Sequence, residues 1–249
     1  MPLPKNRHRA PLRVETLPSM PLTTRQTFYV LIAATYLLGS VPFGLLVGWA
    51  RGLDVRKAGS GNIGATNVGR LLGRQYFFLV FLLDLLKSLV PMLLGTWIAL
   101  HAWSNLTRTT YILWLMVGLA AIFGHMFSIF LGFKGGKGVA TSAGVMLGLW
   151  PFYTVPAVFA ICAFLIALSA TRYMSVASIV GAITFPIFYL LIALNRNWDP
   201  LGRQLPLLVA GLVMAVFLVY KHRGNIARLR AGTENRLGGG SKPETRNAK

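Results

Sequence analysis

Long apolar stretches are the feature that most constrains what this chain can fold into. A helix needs roughly 20 residues to cross a hydrocarbon core of about 30 Å. Of the 249 residues, 55% are hydrophobic and 12% are charged, which lies well outside the usual composition of a soluble domain. The sequence therefore predicts an all-α, polytopic helical membrane protein, with spans at about Phe28 to Trp49, Tyr76 to Leu100, Tyr111 to Leu131, Val155 to Ala170, Val176 to Leu194 and Leu205 to Tyr220.

A seventh apolar stretch, from Val139 to Trp150, is shorter and contains glycine. It suits a tilted span or a thin region of bilayer. We expect about seven transmembrane helices with re-entrant or extended cytoplasmic loops, and six helices as the alternative. The spans and the loops between them define one domain, residues 27–221.

Both ends of the chain are basic. Residues 1–26 are rich in Pro and Arg and hold too few apolar residues to form a core, so we expect a disordered extension. They also lack the apolar segment that directly follows the basic residues of a signal peptide. Residues 222–249 are expected to form a basic cytoplasmic tail that begins with the motif HRGNI.

The charge of the chain is strongly positive, with 25 Lys and Arg against 6 Asp and Glu and a formal net charge of +19. In a soluble protein this would suggest nucleic acid, but here almost none of the charge lies inside an apolar stretch. Juxtamembrane Lys and Arg suit anionic lipid headgroups and phosphorylated substrates, and they also set topology. With seven spans, 16 of them fall on one side and 8 on the other. The positive-inside rule places the first set in the cytoplasm. We expect membrane lipids as partners, and no nucleic acid.

The first chemically informative loop runs from Arg51 to Arg70 and reads RGLDVRKAGSGNIGATNVGR. Its glycines allow backbone N–H groups to converge on an anion, and its hydroxyl, amide and guanidinium groups add donors. A dinucleotide fingerprint requires a preceding strand, whereas a membrane span precedes this loop. The loop predicts an anion-binding site, with candidate substrate-binding residues Gly59, Gly61, Asn62, Thr66 and Asn67.

The second loop, GHMFSIFLGFKGGKGVAT, runs from Gly124 to Thr141 and ends between two apolar stretches. A Walker A loop would need Gly at position 131 and Ser or Thr at position 138, where this chain has Leu131 and Gly138. Nucleotide binding of that kind is excluded. A phosphate-binding loop remains open, as does a glycine-rich turn with topogenic lysines. The candidates for binding substrate are Lys134, Gly135, Gly136 and Lys137.

The third segment follows the last span and reads YKHRGNIARLRAGTENR. His222 and Asn225 are three residues apart and share one face if the helix continues. His222 could donate a hydrogen bond or accept a proton near neutral pH. An interfacial histidine that merely neighbours lipid headgroups is the alternative.

Two charged residues lie inside the second span, at Asp84 and Lys87. Charges within a membrane are costly, so a mutual pair facing the bundle interior is expected. A purely structural pair and a pair that supports the site are both open. The single cysteine, Cys162, excludes an intrachain disulfide, and the scattered histidines predict no metal site.

Together these segments resemble the acyl-phosphate-dependent glycerol-3-phosphate acyltransferases of bacterial membranes. The resemblance covers about residues 28 to 239. It starts at GSVPFG (39–44) and continues through GSGNIGATNVGR, GH…FKGGKGVAT, TRYMSVAS (171–178) and HRGNIARLRAGTENRLG. The family usually has Pro at the position of Ser128 and Gly at the position of Ser88.

The resemblance implies a seven-span bacterial inner-membrane protein, with its site facing the cytoplasm, that makes lysophosphatidic acid in phospholipid biosynthesis. Its substrates would be acyl phosphate and glycerol 3-phosphate, acylated at the 1-hydroxyl. We expect a monomer without cofactor or metal. By motif, Gly135 and Gly136 would admit backbone close to the ligand, and Lys134, Lys137 or both would contact phosphate. Ser175 would complete the polar site, and the catalytic residues would be Ser60, Arg70, His222 and Asn225.

The mechanism implied is substrate-assisted. Asp does not follow His101, His125 or His222 by five residues, so a local His–Asp pair is not available as a general base. We expect the leaving phosphate to take the proton of the acceptor hydroxyl, without a dedicated protein base. A transporter of a phosphorylated metabolite is the alternative function, and a structural membrane scaffold is a third. Transport predicts polar residues along several spans, whereas charges occur in these spans at Asp84 and Lys87.

Overall fold

A computed structural model describes residues 22–101 and 106–237. Within these ranges the chain forms ten α-helices and one short 3-10 helix, Ile129–Leu131. The α-helices are α1 Leu22–Ser40, α2 Phe43–Trp49, α3 Ala65–Leu72, α4 Arg74–His101, α5 Arg108–Met126, α6 Val139–Gly148, α7 Thr154–Thr171, α8 Met174–Asn195, α9 Leu205–Lys221 and α10 Arg223–Arg230.

Five helical segments are long and apolar enough to cross a membrane, among the residues described. They are α1 with α2, α4, α5 with the 3-10 helix, α7 and α8. A sixth arises if α9 and α10 count as one span, although they are bent by 51°. The prediction of an all-helical membrane protein is confirmed, and the count of seven is not.

The predicted seventh span is the short helix α6. Its ten residues rise about 15 Å, half of a hydrocarbon core. The chain nevertheless continues past the end of α6 toward the start of α5, as the packing of Phe152 shows. Its ring lies edge-on against that of Tyr111, at 5.4 Å between ring centroids. Tyr111 lies at the start of α5, whereas Gly138, just before α6, lies against Met126 at the end of α5. Residues 138–153 thus run beside α5 from its C-terminal end to its N-terminal end.

Close helix contacts in the bundle use glycine. A Cβ on Gly39 of α1 would lie 2.6 Å from the carbonyl oxygen of Ala121 in α5, and one on Gly148 of α6 would lie 2.5 Å from Cβ of Met92 in α4. Small residues at such crossings let the two backbones approach, which is the usual way for membrane helices to pack.

Both serines that depart from the family pattern form hydrogen bonds between elements. Ser88 Oγ donates to the carbonyl oxygen of Thr141 at 2.8 Å, linking α4 to α6. Ser128 Oγ donates to that of Ser40 at 2.6 Å. The departures therefore add contacts inside the bundle.

The predicted terminal regions fall largely outside the described residues. Residues 1–21 and 238–249 are not described, and residues 22–26 belong to α1 rather than to a separate extension. Residues 222–237 of the tail contain α10 and return to the turn between α7 and α8, where Leu237 N donates to the carbonyl oxygen of Arg172 at 2.7 Å.

Candidate active site

Asn67 of α3 holds the first loop in shape. Its Oδ1 accepts the backbone N–H of Ser60 at 2.8 Å, and its Nδ2 donates to the carbonyl oxygens of Val55 at 3.0 Å and Ala58 at 3.2 Å. Both of its amide protons are therefore used within the loop. Asn67 contributes to the site by holding Ser60 in place.

The loop follows a path that glycine permits. Gly59 and Gly61 adopt positive φ angles of 60° and 68°, which side-chain-bearing residues rarely adopt. Asp54 accepts hydrogen bonds from Arg56, which lowers the pKa of its carboxyl group to about 2. The carboxyl group of Asp54 is thus ionised and already paired with Arg56.

The second loop turns its two lysines in different directions. Lys134 is exposed, whereas Lys137 is half-buried and donates from Nζ to Oδ1 of Asn225. Burial is the main cause that lowers the pKa of Lys137 to about 8; Glu234 opposes this effect, and the charges of Arg228 and Arg70 add to it. A partly desolvated ammonium is well suited to bind an anion.

The third segment bends where α9 meets α10, at His222. The ring is buried, and Nδ1 donates to the carbonyl oxygen of Leu218 at 2.8 Å. Burial lowers the pKa of His222 to about 4, so the imidazole is neutral at pH 7. Since Nδ1 carries the proton, Nε2 is a hydrogen-bond acceptor.

Glu234 connects the third segment to the turn between α7 and α8. Its Oε1 accepts from Asn225 Nδ2 at 2.6 Å and from Ser175 Oγ at 2.9 Å, and its Oε2 accepts from Arg228 at 2.7 Å. Burial raises the pKa of this carboxyl group, but the hydrogen bonds from Asn225, Ser175 and Arg228 outweigh it and leave the pKa lowered. Glu234 therefore orients Asn225 and is a weak base.

These segments meet around a polar cavity of about 300 Å³. Of the described residues that line it, half are cationic and none is a carboxylate. The lining residues are Ser60, Asn62, Lys137, Lys221, Arg223, Gly224, Asn225 and Arg228. Such a cavity binds an anion through charge and through several hydrogen-bond donors.

Four of the sequence candidates line this cavity, namely Ser60, Asn62, Lys137 and Asn225. The others are not among its lining residues: Gly59, Gly61, Thr66, Asn67, Arg70, Lys134, Gly135, Gly136, Ser175 and His222. Arg70 is exposed on α3, close enough for its charge to act on Lys137.

Lys221, Arg223 and Arg228 line the cavity but were not sequence candidates. All three lie in the motif that supplies His222 and Asn225. The many Lys and Arg residues of that motif are the sequence feature that could have indicated them.

An apolar groove adjoins the polar cavity at Lys137. It lies mainly between α5 and α9, and its walls are Leu119, Ile122, Phe123, Met126, Lys137, Ser142, Val213, Met214, Phe217 and Leu218. Lys137 thus lines both spaces. Basic and apolar surfaces therefore meet at this one side chain.

Metal ligation has no support in the part of the chain that the structure describes, where no three His, Cys, Asp or Glu side chains are grouped to hold an ion.

Comparison with known proteins agrees with a site that binds a phosphorylated substrate. Residues 29–232 match the family model of glycerol-3-phosphate acyltransferase. The glycerol-3-phosphate acyltransferase of Geobacter sulfurreducens is 45% identical over 216 residues, which cover 84% of this chain and 96% of that protein. The enzyme of the same name from Chlorobaculum tepidum is 39% identical over 237 residues, covering 87% and 99%.

Solved structures give the same result. The glycerol 3-phosphate form of PlsY (YgiH), an integral membrane glycerol 3-phosphate acyltransferase, superposes with a TM-score of 0.72 at 38% identity, covering 85% of this chain and 96% of that one. Its lysophosphatidic acid form gives a TM-score of 0.69 at 37% identity.

The family match and the helical membrane fold thus define an integral membrane acyltransferase. The chain belongs to the glycerol-3-phosphate acyltransferase family. Its activity is acyl transfer to glycerol 3-phosphate, a step of phospholipid biosynthesis.

Proposed function

We propose that the acyl donor is an acyl phosphate. The fatty acyl group passes to the 1-hydroxyl of glycerol 3-phosphate, giving lysophosphatidic acid and inorganic phosphate. The position of Lys137 carries this proposal, because one ammonium lines both the basic cavity and the apolar groove. An acyl phosphate has its phosphate one carbonyl away from its hydrocarbon chain, so both parts contact the protein on either side of Lys137.

The reaction forms an ester bond between the glycerol oxygen and the acyl carbon, and it breaks the bond between that carbon and the phosphate oxygen. The proton of the hydroxyl goes to the leaving phosphate, so no protein base is consumed. The state of Glu234 supports this route: its hydrogen bonds and lowered pKa make it a poor proton acceptor. The protein then acts by positioning two phosphates and by stabilising the negative charge that develops.

Within this mechanism we assign roles to the sequence candidates. Ser60, Asn62 and Lys137 contact phosphate, and Arg70 adds its charge from α3. Asn225 orients Lys137, and neutral His222 positions the acceptor hydroxyl through Nε2. Glycine lets the backbone of both loops come close to the substrate, at Gly59, Gly61, Gly135 and Gly136. Thr66 and Lys134 contribute at the edge of the site. Ser175 acts through its hydrogen bond to Glu234.

We further propose that the enzyme lies in the bacterial inner membrane as a monomer, surrounded by membrane lipids, with the cavity open to the cytoplasm. The excess of Lys and Arg on the loops that form the cavity supports this orientation.

A donor comparison tests the proposal. Purified protein receives radiolabelled glycerol 3-phosphate with palmitoyl phosphate, palmitoyl-CoA or palmitoyl acyl carrier protein. We expect labelled lysophosphatidic acid with palmitoyl phosphate and at most a few per cent of that rate with the thioesters. Equal rates with palmitoyl-CoA would overturn the assignment of the donor, as would release of phosphate without labelled lipid.

The pH profile gives a prediction for Lys137. With a pKa of about 8, its ammonium is charged below that pH and becomes neutral as pH rises through it. We expect kcat/KM to fall above about pH 8, since kcat/KM follows ionisations of the free enzyme. Lys137→Arg should keep part of the activity and lose this decline, because arginine stays charged. The same decline in the arginine variant, after correction for spontaneous hydrolysis of the donor, would assign it to another group.

Arg70 and Arg74 form a matched pair near the site. Arg70 lies in the last turn of α3, and its charge acts on Lys137. Arg74 begins α4, where its guanidinium stacks over the ring of Phe78 at 5.4 Å. We expect Arg70→Ala to lower kcat/KM by about 100-fold and Arg74→Ala by less than about threefold. Similar losses in both variants would show a diffuse effect of surface charge instead of a specific role of Arg70.

A further inference from the structure

A charged cluster lies buried in the bundle, next to the loop from Lys134 to Gly138. Lys87 Nζ forms an ion pair with Asp84 at 2.8 Å, and it hydrogen-bonds to the carbonyl oxygen of Val41 at 3.0 Å and to Nδ1 of His125 at 2.9 Å. The three ionisable side chains are at most 5% exposed. Charges in this setting are costly to bury, and none of the three lines the cavity.

The cluster fixes the ring of His125. Its Nδ1 lies 2.9 Å from Lys87 Nζ and 3.5 Å from Oδ1 of Asp84, so the buried pair holds one edge of the ring. Nε2 lies against Gly136, where a Cβ would overlap the ring. The backbone of Gly136 also donates to the carbonyl oxygen of His125 at 3.1 Å. The loop from Lys134 to Gly138 therefore packs directly on this histidine.

The neighbouring glycine is equally confined. A Cβ on Gly135 would overlap the carbonyl oxygen of His125, so the loop lies flat across the end of α5. Lys137 follows Gly136 in the chain, and any tilt of the His125 ring displaces the backbone that carries Lys137. The Lys87 ammonium also donates to the carbonyl oxygen of Val41, at the break between α1 and α2. Helix α2 in turn leads into the first loop.

We propose that Asp84, Lys87 and His125 are positioning residues, which set the height of the loop from Lys134 to Gly138 and thereby place Lys137 in the phosphate site. The proposal rests on the proposed function for the role of Lys137. It distinguishes the cluster from an ion pair that merely joins helices, because its contacts continue into the glycine loop.

A double variant separates these two roles. Asp84→Leu with Lys87→Met removes both charges together, and replacing a buried ion pair by apolar residues is often neutral or stabilising. We expect Tm to stay within a few degrees, kcat/KM to fall at least 10-fold, and amide hydrogen exchange in residues 134–138 to become faster. A folded double variant with activity within twofold of wild type and unchanged exchange would overturn the proposal.

His125→Asn provides a second test that leaves the ion pair intact. The asparagine amide reaches the position of Nδ1 and keeps a partner for Lys87, but no ring remains beneath Gly136. We expect the same acceleration of exchange and a similar loss of activity in a folded protein. Wild-type exchange and kinetics in this variant would contradict the proposal, even if the double variant does not fold.

These readouts remain informative if the proposed donor is wrong. Hydrogen exchange needs no donor, and kinetics for glycerol 3-phosphate can be measured with whichever acyl donor the wild type uses. Failure of the donor comparison together with faster loop exchange in the variants would overturn only the proposed donor. Success of the donor comparison together with wild-type loop exchange would overturn only the positioning role.

Discussion

Replacing Lys137 by methionine is expected to lower kcat/KM by about 10²- to 10³-fold, the range found when one donor to developing negative charge is lost. Methionine keeps an apolar stem in the groove but removes the ammonium shared by groove and cavity. The assay is transfer from palmitoyl phosphate to labelled glycerol 3-phosphate, with Tm measured on the same preparation.

Lys134 supplies the control, since it lies in the same loop and is exposed outside the cavity wall. Lys134→Met changes the net charge equally, and we expect a loss of less than about threefold for the variant. Comparable losses in the two methionine variants would mean that overall loop charge, and not the position of Lys137, determines activity.

The second large effect is expected at His222. His222→Ala should reduce kcat by about 100-fold or more, because it removes both the hydrogen bond to Leu218 at the bend and the acceptor Nε2. His222→Gln places an amide oxygen near the position of Nε2, so it can accept a hydrogen bond without acting as a base. We therefore expect this variant to retain activity within about 10-fold of wild type.

The comparison decides between positioning and base catalysis. If His222→Gln is as inactive as His222→Ala, although it is folded and binds glycerol 3-phosphate, then His222 removes the proton and the substrate-assisted mechanism is wrong. The low pKa of His222, about 4, already makes it a weaker base than an ordinary histidine.

The sequence predicted the helical membrane fold because long apolar runs permit few other structures. It also predicted three loops that share one face, through their glycines and their charge. The direction of individual side chains could not be predicted. Lys137 is half-buried and Lys134 exposed in a loop where Phe133 and Gly138 adopt positive φ angles of 61° and 79°, and residue type alone does not show this.

Residues that act across long separations were also beyond sequence reasoning. Lys87 and His125 are 38 positions apart, and Ser175 and Glu234 are 59 apart. Their contacts follow from the packing of α4 on α5 and from the return of the tail to the turn before α8. Lys221, Arg223 and Arg228 face the cavity because of the 51° bend at His222, which no local motif indicates.

The most direct test of a shared phosphate and acyl site is an experimental structure with a non-hydrolysable acyl phosphonate and glycerol 3-phosphate bound together. We expect the phosphonate within about 3 Å of Lys137 Nζ, the acyl chain in the groove between α5 and α9, and the 1-hydroxyl facing the acyl carbon. A phosphonate bound away from Lys137, or an acyl chain that leaves the cavity by another route, would contradict it.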